Sequence, residues 1–151
     1  MKIYFYHYLF FLILLICGCG TLGSFKAFNF SVNKQELSLA IDTIYKNYPY
    51  YKIPEKWKKF DTWEERGYDF LDNRIFYFKD SPEEMYYVTF RGEKANPSID
   101  PIDIAIRAVS NGKGRWLMQD DFSKKEIERM ESRLESEILL KTKHTYFKNN
   151  K

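Results

Sequence analysis

The chain has 151 residues, with 24 Lys and Arg against 21 Asp and Glu, for a net charge of +3. With 44% hydrophobic and 30% charged residues it has the composition of one globular domain that can bury a core, which argues against disorder and against a solenoid. A mean hydropathy of −0.52 and a single long apolar run exclude a polytopic membrane protein.

That run comes first. Lys2 is followed by apolar residues from Ile3 to Ile16 and then by Cys17-Gly18-Cys19-Gly20. A helix that crosses a bilayer needs about 20 apolar residues, whereas the core of a signal peptide needs about 7 to 15, and the run fits the second. The exit Ile16-Cys17-Gly18-Cys19 resembles a bacterial lipobox, with an aliphatic residue at minus three and a small one at minus one before the cysteine that is lipidated. Cys19 fits the pattern. Cys17 does not, because it would put bulky Ile16 where the peptidase needs a small side chain. What the resemblance implies is a signal peptide over 1–18, an acylated Cys19, and a tether over 19–30. Each buried methylene adds about 0.8 kcal/mol, so the three chains implied would hold firmly where one would not. Gly20 rather than Asp follows the cysteine, and by the same resemblance this favours the outer membrane; no acidic cluster follows Cys19, which favours a periplasm-facing domain over the alternative, exposure at the cell surface.

Cleavage before Cys19 would remove one charge, Lys2, and leave a nearly neutral chain with one cysteine and one histidine, His144. Nucleic-acid binding needs a clustered basic face and is not expected. A Cys-His or Ser-His-Asp mechanism has little to build on, and a disulfide within the domain and a His/Cys zinc site are excluded. No cofactor, metal or catalytic residue is expected; Tyr, Lys and carboxylate chemistry remain open.

A single α+β domain is expected over 31–142. Asn33 with Glu36 makes a capping box, Val32 with Leu37 a hydrophobic staple, and Leu37, Ala40, Ile41, Ile44 and Tyr48 repeat at helical spacing up to Pro49. Residues 49–73 read as an ordered loop with a helical turn or two from Pro54. Residues 74–79 and 85–91 are aromatic and β-branched and flank 80–84, which predicts a hairpin. Residues 102–109 alternate, with Ile102, Ile104, Ile106 and Ala108 on one face. Residues 92–101 form a surface loop. Asn111-Gly112-Lys113-Gly114 predicts a turn into a fourth strand at 115–119. Ser123 with Glu126 caps a last helix, with Phe122 and Ile127 as its staple and Ile127, Met130, Leu134 and Ile138 as its stripe; residues 143–151 read as a frayed tail. The expected fold is α-β-β-β-β-α, a two-layer sandwich of a four-stranded antiparallel meander and two helices.

Two groups are candidates for binding. Trp57, Phe60, Trp63, Glu64, Glu65, Tyr68, Asp69 and Asp72 pair aromatic faces with carboxylates, as sugar sites do, although such rings also pack under loops. Tyr77, Tyr87, Thr89 and Arg107 fall on the sheet face opposite the aliphatic one, where Tyr and Arg suit a protein partner or simply line a solvated sheet. Gly112-Lys113-Gly114-Arg115 lacks the spacing of a phosphate loop and reads as a turn. The stretch 52–78, KIPEKWKKFDTWEERGYDFLDNRIFYF, is similar to small uncharacterised lipoproteins of Gram-negative bacteria. That resemblance implies a location and no chemistry. The expected function is a lipid-anchored, non-catalytic envelope module, protein-binding or structural, whose partner is an envelope protein or a glycan; the alternatives are a glycan-binding protein or hydrolase using residues 57–72, and a periplasmic immunity-type lipoprotein.

Overall fold

The computed structural model describes residues 25–63, 65, 67, 72–91 and 101–149. The signal segment, Cys19 and the first part of the tether lie outside the described residues, as do Glu64, Tyr68, Asp69 and most of the loop 92–101.

The described chain is α+β. A four-stranded antiparallel sheet runs in the order β1-β4-β3-β2, from β1 (Phe28–Phe30), β2 (Asn73–Phe78), β3 (Glu84–Arg91) and β4 (Ile102–Ser110). Helix α1 (Lys34–Asn47) lies between β1 and β2, and α2 (Lys124–Leu134) continues through a π turn (Glu135–Leu139) into α3 (Leu140–Asn149). Both helix starts carry the expected capping boxes: the Glu36 amide donates to Asn33 Oδ1 at 2.9 Å, and the Ser123 amide to Glu126 Oε2 at 2.9 Å.

The fourth strand is not the expected one. Residues 115–119 contribute only a bridge between Leu117 and Val109. The fourth strand is Phe28–Phe30, inside what the sequence suggested was tether; its alternation buries Phe28 and Phe30 and leaves Asn29 exposed on the other side, where its amide donates to Asp103. Folded structure also reaches further at the other end, since α3 carries the helix past residue 143 to Asn149.

One face of the sheet packs on the helices. Phe76, Phe78, Tyr86, Val88, Ile104, Ile106 and Val109 meet Leu37, Ile41, Ile44, Met130, Leu134 and Ile138 in the main core. Glu84, only 4% exposed, ties the sheet to the last helix. It receives two hydrogen bonds from Arg129 (2.9 and 2.6 Å) and one from the Tyr86 hydroxyl (2.9 Å), so the buried carboxylate is paired.

The second face is covered as well. After α1 the chain turns through Pro49–Tyr51, crosses the β2 edge, where the Tyr45 hydroxyl donates to the Ile75 carbonyl at 2.8 Å, and lays residues 53–63 across the far side of the sheet. A bulge in β4 shapes that side. Tyr87 pairs with Ala108 while Val88 pairs with Ile106, so Arg107 has no direct partner across the ladder. The extra residue reverses the alternation beyond it. Ala108, expected beside the three isoleucines, joins the second face, and Val109 takes the core side.

Candidate functional site

The structure joins the two sequence candidates and buries them. Trp57, Trp63, Tyr77 and Tyr87 form one cluster with Met85, Ala108 and Trp116. Trp63 stacks on Tyr87 with centroids 4.1 Å apart, and Trp57 meets Tyr77 edge-on at 5.6 Å. Trp116 closes the cluster at 5.4 Å from Trp63, and its indole N–H donates to the Phe60 carbonyl at 2.7 Å. Tyr87 is 0% exposed and Thr89 is also buried, so the expected open sheet face is a second core. Arg107 is half-buried at the bulge.

Other candidates take structural roles. Asp72 pairs with Lys34 at 2.5 Å and with Arg74 at 3.5 Å, and Glu65 is exposed. The Gly112 turn forms as read: Gly112 has φ +76, and a Cβ there would sit 3.2 Å from the Trp57 ring, so glycine is required both for the turn and for that contact. Lys56 and the Tyr77 hydroxyl both bind Glu83, and hydrogen bonding by the lysine, then by the tyrosine, holds the Glu83 carboxyl below the ordinary range. His144 is exposed on α3. Among the described residues no group of His, Cys, Asp and Glu could hold a metal ion, and no helix is long and apolar enough to cross a membrane.

Sequence reasoning missed a cavity of about 480 Å³ between β1, α1 and α3. Phe30, Val32, Leu37 and Ala40 give it an apolar wall; Asn29, Ser31, Thr142, Lys143 and Tyr146 supply the polar atoms. It exists because two small residues stand where the helices meet: Ala40 in the apolar stripe of α1, and Thr142 on α3, whose hydroxyl is satisfied by the Ile138 carbonyl at 2.8 Å. The Lys143 ammonium rests over the Phe30 ring, 5.4 Å from its centroid. Loss of solvent, and then the Glu36 carboxylate, push the Tyr146 hydroxyl above its ordinary pKa. The only sequence signal for this site was Ala40 among larger apolar neighbours.

Three large apolar side chains are exposed outside this cavity. Among the described residues these are Leu39 at 67%, Tyr50 at 57% and Leu140 at 55% exposure, on α1, on the turn after it, and at the start of α3. All three belong to the helical layer.

No protein-family model, curated protein or solved structure matches this chain.

Proposed function

We propose that the protein is a lipid-anchored, non-catalytic module of the bacterial outer membrane, facing the periplasm, that binds another envelope protein through its helical layer. The observation that carries this reading is the position of Phe25, which is 1% exposed and packs 6.2 Å from Phe122. The Cys19 of the lipobox-like segment lies just upstream, and the chain between them, fully extended at about 3.5 Å per residue, spans at most about 20 Å. A lipid on Cys19 would therefore hold the domain close to the headgroups, at high effective concentration for any partner in the same membrane. Both sheet faces are packed, which leaves the helical layer, with Leu39, Tyr50 and Leu140, as the apolar surface offered to that partner. The glycan reading loses support, because the rings of Trp57 and Trp63 are already covered by Phe60, Tyr77, Tyr87 and Trp116.

The anchor is tested by metabolic labelling with radioactive palmitate in a Gram-negative host. The wild-type chain is expected to take up label and partition into detergent, and Cys19→Ser to do neither. Equal partitioning and equal mass of the two exported forms would remove the anchor.

A further inference from the structure

We infer that Lys141 is the contact point for an acidic side chain of the protein partner, an aspartate or glutamate with an apolar neighbour. The inference rests on the reading that the helical layer is the interface, and adds where on that layer the partner docks and what chemistry it presents.

Two of the exposed apolar side chains, Tyr50 and Leu140, are joined through this lysine. The Tyr50 ring lies 4.6 Å from the Tyr51 ring, the Tyr51 hydroxyl accepts a hydrogen bond from the Lys141 ammonium at 2.8 Å, and Leu140 precedes Lys141 on α3. The ammonium is half-buried and held in place. It donates a second hydrogen bond to the Glu137 carbonyl at 2.8 Å, and the Tyr51 and Tyr48 rings stand 5.2 and 5.5 Å from it. A lysine already ordered loses little further rotamer freedom when a partner arrives.

Charge balance supplies the sign of the partner. The linked groups are two carboxylates, Glu84 and Glu137, against three cations, Arg129, Arg133 and Lys141. Both carboxylates are engaged: Glu84 accepts from Arg129, while Glu137 accepts from Arg133 Nε at 3.0 Å and from the Tyr51 hydroxyl at 3.2 Å. Lys141 is the cation left over. Among the described residues it forms no ion pair, and its two recorded acceptors are uncharged oxygens, whereas an ammonium has three donors. A partner that covered Tyr50 and Leu140 would exclude water from this ammonium, and a carboxylate in that partner would then meet a fixed cation at lowered dielectric. The Tyr50 ring beside it is the kind of flat aromatic anchor around which binding energy concentrates.

The full chain with p-benzoylphenylalanine in place of Tyr50 is illuminated in Gram-negative cells, and the adduct is mapped by peptide mass spectrometry. The attachment point is expected on a protein segment that carries an Asp or Glu beside an apolar residue. Lys141→Gln should cut the adduct about tenfold, and Lys141→Arg should keep most of it. Lys141→Glu should abolish the adduct, and changing the mapped partner acid to Lys should restore it; a lysine that only braces Tyr51 and the π turn would not be rescued by a change in another protein. An adduct insensitive to Lys141→Gln, a mapped segment without an acid, or an adduct with lipid alone would overturn the inference and leave the helical layer open as an interface. The same probe at Leu39 separates the two claims: protein adducts from Leu39 but none from Tyr50 overturn only the Lys141 contact, and none from either position overturns the helical layer itself. Should Lys141→Gln lose its circular dichroism signal, the charge exchange with the partner decides alone.

Discussion

Tyr87 illustrates what a single side chain can and cannot reveal. Its position on the strand predicts which face it occupies, and that much is right; the sequence did not reveal that the opposite surface of the same ring would be taken by Trp63. Both residues were legible as functional candidates because each is a large aromatic with a polar atom, the type that serves binding sites and interiors equally well. Their pairing was not legible, since it depends on residues 53–63 crossing the sheet edge. With Trp63 in a packed interior, Trp63→Ala is expected to cost about 3–5 kcal/mol in urea unfolding; a variant as stable as the parent would return the cluster to the surface. Glu83 gives a smaller, pH-dependent effect. Lys56 and Tyr77 lower its carboxyl below the usual 4.5, so the folded state binds this proton less tightly than the unfolded chain. Its contribution is complete above about pH 4.5 and fades as pH falls through the lowered value. Because the pair stands in solvent the slope is shallow and sensitive to salt. Between about pH 5 and 3, Glu83→Gln should lose stability less steeply than the parent, and the difference should shrink at high salt; identical slopes at low salt would show that the ion pair contributes nothing.

At the level of elements, the helix starts were the most readable features because a capping box is local chemistry: four residues specify it and nothing distant is needed. Ser123→Ala should therefore destabilise the fold by about 1 kcal/mol, and Ser123→Asp, which retains an acceptor, should restore most of it in the same thermal melts. Strands were readable where they were long. Three residues, Phe28–Phe30, are too few for alternation to stand out, and they become a strand only because β4 offers an open edge. The reverse holds for 115–119, whose composition suits a strand but which forms one bridge before the turn at Gln119–Asp121. The bulge at Arg107 was hidden for a related reason. Residues 102–109 alternate without a break, and the shift between Tyr87 and Val88 is a property of the pair of strands, not of either one.

For the whole molecule, the α+β class was legible from the order of helix and strand signals, whereas the cavity was not, because it is a gap left between three elements rather than a pattern within one. Partner binding through the helical layer belongs to this scale too. Leu39→Asp and Leu140→Asp replace exposed side chains and should change stability by no more than about 0.5 kcal/mol. If the helical layer is the interface, each should reduce in-cell crosslinking to the partner at least fivefold, while the charge reversal Lys56→Glu, on the opposite side, should not. Undiminished crosslinking in the double variant would exclude that surface.

The way the chain leaves α1 has a further consequence. β2 is a border strand of the sheet, and a border strand six residues long is a template on which a second copy could zip itself. Here the Tyr45 hydroxyl already occupies the Ile75 carbonyl, and the crossing segment stands alongside as a fence. At the other border, β1 is too short to seed such growth. A chain tethered to a membrane as proposed would meet its own copies constantly, and this fold would deny them an easy strand-to-strand route to polymerisation.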